Sequence, residues 1–407
     1  MSPDDLLVRF DAAVAQVRPY ASRRRLLALR PEIAALAHPV AATAPSSLPS
    51  SAGVPPVVVT TAPAGIDVTT LGITPGARDW QMQLTAIFND RRYTDTVLVF
   101  PEGTYFHSGT LRINVPGLEL HGPGELVGTN PLDMAVQLQA PRVKLKGLKV
   151  RGVGTGRTPV GSWEECGIVL FAADQTVENC DVSVTSAAGI IAADDNVQRF
   201  MVIGNVVHDT HADAIHMTGG AGPGVVRGNV IMRPGDDGVA CVTYGGQALV
   251  HGIVAEANII IDGQARGMSV VGGADITYRG NTVQGSRCAG LYVASEPSYN
   301  TEGVDGVRLE GNGLDGCNTD PSINHGGVFL WGGRAERPVR NVTVVDNTVR
   351  DTRVGAAHLV IQGGAVLNTR FERNATFGAK QHHYIEAPSS QWAMRGDTHN
   401  GGPVPDR

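Results

Sequence analysis

The chain of 407 residues carries a formal net charge of −6, with 18% charged and 5% aromatic residues. Because there is no long Lys/Arg run, this balance argues against a nucleic-acid partner. No apolar stretch approaches the roughly 18 residues of a membrane span. The 51 glycines favour short strands and tight turns over a helical bundle or a disordered chain. The five cysteines lack C-x-x-C spacing, which argues against a zinc site or a dense disulfide framework.

Residues 1–40 are predicted to be a helical segment. An amphipathic helix is predicted over residues 3–18, because an N-cap serine and a first-turn proline precede a one-sided apolar pattern. A second helical stretch around residues 23–37 starts on three arginines and loosely resembles a twin-arginine export signal. The competing interpretation is a surface helix that docks on the body or pairs subunits into a homo-oligomer. Residues 41–66 are rich in Ala, Pro, Ser and Thr and predict a linker.

A body is predicted over residues 67–378, followed by a polar C-terminal tail over residues 379–407. Apolar residues between positions 80 and 88 share one face of a short predicted helix. Such a helix would cap the open end of a stacked-strand core, as repeat folds require. Residues 96–100 then read as a strand that ends at a Pro-Glu-Gly turn.

A short repeat organises the body. An Asn followed by alternating apolar residues returns at gaps of 23 to 35 residues, and each interval holds a second run that starts on Gly or Ala. Asn tolerates the left-handed backbone of a tight corner, and its amide can bond to the amide stacked above it. Short strands with irregular loops predict an all-β fold, a single-stranded right-handed parallel β-helix, rather than a barrel, sandwich or propeller. The Asn positions are Asn179, Asn205, Asn229, Asn258, Asn281, Asn312, Asn347 and Asn374, and the Gly/Ala positions are Gly167, Gly189, Ala214, Gly238, Gly267, Gly290, Gly327 and Ala357.

Aligning the coils on the Gly/Ala positions gathers acidic residues in one column. Neighbouring strands lie about 4.8 Å apart, so Asp213 and Asp237 are predicted to be adjacent, with Arg266 one coil beyond. Two residues after the Gly/Ala positions, His216 and Tyr292 are predicted to flank them on the same outer face. The residues before the Gly/Ala positions are Cys166, Ala188, Asp213, Asp237, Arg266, Ala289 and Gly326.

The run Gly235-Asp236-Asp237-Gly238 has a plain interpretation as a turn, since Asp and Gly are turn formers. That interpretation leaves the two stacked carboxylates of Asp213 and Asp237 unexplained, because like charges disfavour joint ionisation. Arg266 would relieve their repulsion without any catalysis. A cluster of coupled carboxylates on an outer sheet face is nevertheless a candidate functional site.

At these residues the chain resembles the polygalacturonase-type, pectin-lyase-like glycoside hydrolases, which share the parallel β-helix fold. Their Asn-Thr-Asp-Gly motif is matched by His211-Ala212-Asp213-Ala214, and their Gly-Asp-Asp motif by Gly235-Asp236-Asp237. The resemblance implies that Asp236 is the general acid. It also implies that Asp213 and Asp237 hold the attacking water.

The chain departs from that family at two further motifs. Arg266 stands where the family has the His of Gly-His-Gly, and Gly290-Leu291-Tyr292 replaces the basic pair of Arg-Ile-Lys. The family uses that basic pair to hold a sugar carboxylate. The departure points to a neutral or differently charged sugar rather than to galacturonate.

Three functions are compatible with these residues. The first is an inverting glycoside hydrolase acting on a polysaccharide or oligosaccharide without a cofactor, which needs about 6.5–9.5 Å between acid and base. The second is a polysaccharide lyase, in which Asp213, Asp236 and Asp237 would bind Ca²⁺ and Arg266 would abstract a proton. The third is a non-catalytic glycan-binding fibre, like a phage tailspike. The carbohydrate function favours an extracellular location.

The remaining predictions concern substrate contacts. Aromatic rings stack on sugar rings, and Trp163 and Tyr299 are further candidates for this role. The loops 153–165 and 296–325 are predicted to wall a groove. His208 and His211 match no standard zinc spacing with their neighbours, so no metal site is predicted there. The residues predicted to bind substrate are His216, Arg266, Tyr292, Glu296 and Trp331.

Overall fold

The computed structural model describes residues 65–154, 162–355 and 357–407. The predicted N-terminal helical segment, nearly all of the predicted linker and residues 155–161 of a predicted loop lie outside these ranges. Residues 67–407 form one compact unit. Within the described ranges, no helix has the length and apolar character needed to cross a membrane.

The unit is a parallel β-helix, because successive coils add strands to three long sheets of 13, 14 and 11 strands. The first sheet holds Ile66–Asp67, Val97–Val99, Glu119–His121, Lys144–Lys146, Thr176–Glu178, Phe200–Ile203, Gly224–Arg227, Ile253–Glu256, Gly273–Arg279, Val304–Glu310, Val339–Val345, Val366–Glu372 and Trp392–Arg395. The second holds Gly76–Asp79, Thr104–His107, Glu125–Gly128, Lys149–Arg151, Asp181–Ser183, Val206–His208, Val230–Met232, Ile259–Ile261, Thr282–Gln284, Gly313–Asp315, Thr348–Arg350, Ala375–Phe377, Thr398–His399 and Gly402–Pro403. The third holds Leu111–Ile113, Val136–Leu138, Ile168–Leu170, Ile190–Ala192, Ile215–Met217, Val239–Val242, Met268–Val271, Leu291–Ser295, Val328–Gly332, Ala357–Gln362 and Gln381–Ile385.

The described helices are short. One α-helix spans Gln81–Phe88, and its Leu84 and Phe88 side chains are fully buried in the main core. The backbone N–H of Asn114 donates to the Phe88 carbonyl over 2.9 Å, which fixes the end of the helix against the first coils. The capping role assigned to this helix stays a prediction. The 3₁₀ helices are Val68–Leu71, Arg91–Tyr93, Trp163–Glu165 and Ser389–Gln391.

A buried ladder of Asn side chains confirms the predicted amide stacking. Asn229 donates from its backbone N–H and from Nδ2 to the Oδ1 of Asn258, over 3.0 and 2.9 Å. Its own Oδ1 accepts the same two bonds from Asn205. The ladder ends where Asn374 donates its backbone N–H to Asp397 over 2.8 Å. From Cys180 to Asp397, each coil is thereby bonded to the next through a side chain as well as through the sheets.

The position predicted for the first ladder residue is wrong by one. The Oδ1 of Asn205 accepts from the backbone N–H of Cys180, so Cys180 rather than Asn179 occupies that place. Asn179 instead has a positive φ of 54°. The residues directly before the later ladder positions also have a positive φ, for example 64° at Gly204. The left-handed corner therefore belongs to the residue before the ladder. Asn179 fits this corner because Asn tolerates that conformation.

Removing one ladder amide is expected to destabilise the fold measurably. Asn229→Ala leaves buried donors and acceptors on two coils without partners, a cost of about 2 kcal/mol. Urea unfolding followed by circular dichroism would measure the loss. Asn196→Ala is the matched control: this exposed turn residue donates from its side chain to Asp194, and it should change stability by under about 0.5 kcal/mol. Equal losses in both variants would contradict the role of the ladder.

The predicted polar tail over residues 379–407 is instead a continuation of the β-helix. Gln381–Ile385 pairs with the preceding strand of the third sheet, and Trp392–Arg395 extends the first sheet. In the strand Trp392–Arg395, Trp392 and Met394 are buried, whereas Ala393 and Arg395 are exposed. A strand with one buried face needs few apolar residues, so these strands read as polar in sequence.

Candidate active site

The predicted alignment of coils is confirmed along most of the third sheet. The residues two places after the Gly/Ala positions pair in register from coil to coil, namely Ile191, His216, Ala240, Ser269, Tyr292 and Phe329. The last predicted position is wrong by one, because His358 and not Ala357 stacks on Gly327. The buried His358 ring is accommodated there by Thr352, whose Oγ1 lies 2.9 Å from Nδ1.

The two stacked carboxylates are fixed by the backbone of the following coil. Asp213 Oδ1 accepts the backbone N–H of Asp237 over 2.8 Å, and Asp237 Oδ1 accepts the backbone N–H of Arg266 over 2.7 Å. The other oxygen of Asp213 lies 2.5 Å from Nδ1 of His216. The predicted neighbours are thus brought together at the corner where each coil enters the third sheet. Both carboxylates are oriented before any ligand arrives.

Asp236 completes a group of three carboxylates. Asp213, Asp236 and Asp237 each offer an oxygen within 4.8 Å of the other two. Burial, and then the charges of Asp237 and Asp213, raise the pKa of Asp236 to about 8. Among the described residues, no hydrogen-bond donor contacts the Asp236 carboxyl group. It is therefore the member of the group that keeps a proton at neutral pH.

The pKa of Asp237 is raised less than that of Asp236. Burial raises it, Arg266 lowers it, and Asp213 raises it again, to about 6. Coupled carboxylates titrate as a group, so these values describe the order in which protons leave. The site separates one carboxylic acid from carboxylates held by N–H donors, which is the arrangement that acid and base roles need.

Arg266 lies between two carboxylates. Its Nη2 is 2.8 Å from Glu296 Oε1, and its Nη1 is 3.8 Å from Asp237 Oδ1. The guanidinium also lies 4.4 Å from the centre of the Tyr292 ring, and the Tyr292 hydroxyl donates to Glu296 Oε1 over 2.8 Å. Burial alone would lower the pKa of Arg266, but its anionic neighbours raise it instead. The single positive charge of this group is thereby already compensated.

A cavity of about 230 Å³ opens over these groups. Two of the residues predicted to bind substrate lie elsewhere: Tyr292 is only 1% exposed and Trp331 is half-buried beside an apolar cluster, and neither lines the cavity. The aromatic candidates Trp163 and Tyr299 do line it, with 39% and 59% exposure. The predicted site residues that do line the cavity are Asp213, Asp236, Asp237, His216, Arg266 and Glu296.

Tyr244 is a lining residue that the sequence patterns do not single out. Burial and the nearby carboxylates of Asp213 and Asp236 raise the pKa of its phenol to about 12, so it stays neutral. The only sequence signal is its position just after the strand Val239–Val242, which follows the Asp pair. Its backbone forms a bridge to Thr301, a contact that no local pattern predicts.

The predicted loop walls need correction. Residues 296–325 are not one loop, because they contain the strands Val304–Glu310 and Gly313–Asp315. The part that lines the cavity is the short connection from Glu296 to Thr301. Of the loop 153–165, the 3₁₀ helix Trp163–Glu165 brings Trp163 to the cavity.

His208 is not part of the site. Its Nδ1 and Nε2 lie 2.7 and 3.2 Å from carboxylate oxygens of Asp209 and Asp181. Burial opposes its protonation, but these two carboxylates raise its pKa to about 9. His208 therefore serves an ion-pair cluster on the second sheet.

Comparisons with known proteins agree with this architecture. A family model described as a right-handed beta helix region matches residues 139–312. No curated protein matches the chain. The match over residues 139–312 and the topology of three parallel sheets together define the fold of the chain as a right-handed parallel β-helix.

Several solved structures share the fold. The catalytic domain of a GH87 alpha-1,3-glucanase in complex with tetrasaccharides matches at TM-score 0.66 and 18% identity, over 81% of this chain and 64% of that one. The Agl-KA catalytic domain matches at TM-score 0.71 and 17% identity, over 85% and 67%. The A-module of the Azotobacter vinelandii mannuronan C-5 epimerase AlgE6 matches at TM-score 0.62 and 14% identity, over 84% and 100%. The chain thus spans 64% of the length of the first of these domains, and identities this low establish the fold alone.

Proposed function

We propose that the chain is a glycoside hydrolase that cleaves a neutral polysaccharide or oligosaccharide. The observation that carries this proposal is the cluster of Asp213, Asp236 and Asp237 in one cavity, where burial raises the pKa of one carboxyl group and backbone donors hold the other two. Glycosidic cleavage needs an acid to protonate the leaving oxygen and a carboxylate on the other side of the bond. A carbohydrate-active function also agrees with the β-helix neighbours, whose names describe glucanases and an epimerase.

In this mechanism Asp236 donates its proton to the oxygen of the departing sugar. Asp237, oriented by the N–H of Arg266, and Asp213, oriented by the N–H of Asp237, accept a proton from the attacking water. In the inverting form of this mechanism, the water oxygen bonds to the anomeric carbon as the glycosidic bond breaks, and the accepted proton later returns to Asp236 through solvent. His216 keeps Asp213 in place through its bond to Oδ2.

The carboxylate spacing bears on the stereochemistry. One oxygen from each of the three carboxyl groups lies within 4.8 Å of the other two, which is closer than the roughly 6.5–9.5 Å predicted for an inverting pair. This spacing is nearer to the roughly 5–5.5 Å of retaining enzymes, in which a carboxylate attacks the anomeric carbon first and water then releases the sugar. The anomeric configuration of the first product, read by proton NMR, decides between inversion and retention.

The charges in the cavity favour a neutral sugar. Asp213, Asp236, Asp237 and Glu296 line it, and Arg266 is shared between two of these carboxylates. A uronate would add a negative charge where the described lining offers no uncompensated cation, and burying an unpaired charge is costly. The likeness to polygalacturonases is therefore confined to the pattern of carboxylates.

Activity is expected to depend on pH with a maximum between about pH 6 and 8. Asp236 must be protonated, so activity falls as pH rises above its pKa of about 8. Asp237 must be ionised, so activity falls as pH drops below its pKa of about 6. Initial rates on a neutral glucan across pH 4–10, in buffers of constant ionic strength, test this. A rate still rising at pH 10 would contradict the acid role of Asp236.

A calcium-dependent polysaccharide lyase is the second candidate. It is favoured by the three clustered carboxylate oxygens, because Ca²⁺ prefers such ligands. It would need Arg266 as the base, and the carboxylates around Arg266 raise its pKa and oppose that role. A non-catalytic glycan-binding fibre would bind the same sugars without cleaving them.

One panel separates these functions. Wild-type protein is incubated with neutral glucans, including alpha-1,3-glucan, and with polyuronates such as mannuronan and polygalacturonate, each with and without a chelator. Reducing ends and the absorbance of unsaturated uronates are measured in parallel. We expect reducing ends from a neutral glucan, unaffected by the chelator. Chelator-sensitive absorbance from a polyuronate would support the lyase, and binding without any product would support the fibre.

A further inference from the structure

We infer that the cavity is blind toward the C-terminal coils, so that the site accepts one end of a glycan chain and releases a short product. This inference rests on the proposed hydrolase function and adds which part of the glycan the site accepts. It follows from how the two ends of the cavity are built.

At the C-terminal end, the outer face of the third sheet is filled by stacked rings. Arg266 lies over the Tyr292 ring, and Tyr292 stacks on Phe329 and on His325 with ring centres 5.6 Å apart in each case. His325 and Phe329 also stack on each other at 4.4 Å. Tyr292 and Phe329 are 1% and 3% exposed. Over the described residues beyond Arg266, the outer face therefore leaves no groove for a sugar chain.

A ridge closes the neighbouring side of the cavity. It consists of residues 244–247 and 299–302, which are joined by the bridge between Tyr244 and Thr301. The N–H of Gly245 donates to the Asn300 carbonyl over 2.6 Å. Arg337 donates to the carbonyls of Asn300 and Thr301 over 3.2 and 3.1 Å, which anchors the ridge from the next coil. These bonds make the ridge part of the fixed body.

The N-terminal end is built differently. From Asp213 the floor continues over Ala188 to Cys166, two coil steps of about 4.8 Å each, and both residues line the cavity. Trp163 stands at this end with 39% of its surface exposed, in contact with the ring of Phe171. An exposed aromatic ring beside a floor of small side chains is suited to stacking on a sugar.

Among the described residues, the two directions therefore offer unequal room. On the C-terminal side, one coil step separates Asp237 from Arg266 and its backing of rings. On the N-terminal side, two steps lead to an exposed tryptophan. The glycan chain is therefore placed on the longer N-terminal side, past Trp163, and the unit cleaved off occupies the closed side.

The test uses alpha-1,3-linked gluco-oligosaccharides of increasing length, labelled with a fluorophore at the reducing end, together with the viscosity of the polymer. Wild-type protein is expected to release one short product from the first turnovers, with little fall in viscosity for each bond cleaved. The double variant Tyr244→Ala/Tyr299→Ala lowers the ridge and is expected to give products of several lengths and a steeper fall in viscosity. Trp163→Ala is the matched control at the other end, expected to raise KM at least tenfold and leave the product length unchanged.

The outcomes are distinct. Interior cleavage by wild-type protein from the start would overturn the blind end and leave the hydrolase function standing. A double variant that is folded by circular dichroism but keeps the wild-type product pattern would overturn the role of the ridge. No cleavage of any glucan would overturn the proposed function and this inference with it.

Discussion

Asp236→Asn is expected to lower the hydrolysis rate by about 10³-fold, because an amide keeps the shape of the carboxyl group but cannot supply the proton. Rates of reducing-end release on the best glucan of the panel measure the loss. The raised pKa means that folded protein binds this proton more tightly than unfolded protein does. Stability therefore falls as pH rises from the ordinary carboxyl pKa toward about 8. The Asn variant lacks this penalty and should melt no lower than wild type at pH 7.

The matched control for this variant is Asp195→Asn. Asp195 is exposed in the turn after the strand Ile190–Ala192 and does not line the cavity. This variant should keep both activity and melting temperature. If Asp236→Asn kept activity within a few-fold of wild type, another group would have to be the acid.

Arg266→Met is expected to destabilise the protein by about 3 kcal/mol and to impair catalysis. It removes the cation shared by Asp237 and Glu296, and losing one partner of a buried ion pair leaves the other charge uncompensated. The pKa of Asp237 should rise, because the charge of Arg266 is the largest of the effects that lower it. Chemical denaturation measures the first effect. A shift of the acid limb of the pH profile to higher pH measures the second.

Two companion variants test whether the stability lost in Arg266→Met comes from the missing positive charge. Arg266→Lys keeps the charge and should lose less stability, although a lysine cannot contact two carboxylates with a planar fork. The double variant Arg266→Met/Glu296→Gln removes one of the carboxylates left unpaired, and it should be more stable than Arg266→Met alone. Additive losses in the double variant would contradict the coupling of Arg266 to Glu296.

Much of the fold was predictable because the repeat constrains each coil in the same way. Register in a parallel sheet is set by buried alternating positions, so aligning the Gly/Ala residues placed Asp213, Asp237 and Arg266 in one column. The same alignment placed His216 and Tyr292 on the outer face. These predictions need only spacing within the chain.

The errors arose where the structure departs from the repeat. His358 occupies the place where the other coils have Gly or Ala. Its ring lies within hydrogen-bond distance of Thr352, and the alignment of the coils does not predict this contact. The last coils lack a clear apolar alternation, so residues 379–407 read as a polar tail. Asn179 is predicted on the ladder but lies one position before it. An Asn is compatible with both places, because its amide can stack and its backbone tolerates the left-handed corner.

The candidate site was only partly predictable for a related reason. Spacing along the chain locates residues on a face, but it does not show which of them are covered by loops. Tyr292 shares the outer face with His216, yet Phe329 and His325 cover it. Tyr244 reaches the cavity through a bridge to Thr301 on a distant segment. Such contacts depend on loop conformation, which the repeat does not determine.

In the proposed reaction, the clustered carboxylates add water across a glycosidic bond. The most direct test is to incubate wild-type protein with a neutral gluco-oligosaccharide in water labelled with heavy oxygen, and to weigh the products by mass spectrometry. Hydrolysis predicts one labelled oxygen at the newly formed anomeric carbon, and none with Asp236→Asn under the same conditions. An unlabelled, unsaturated product from a polyuronate, or no product from any glycan that the protein binds, would contradict it.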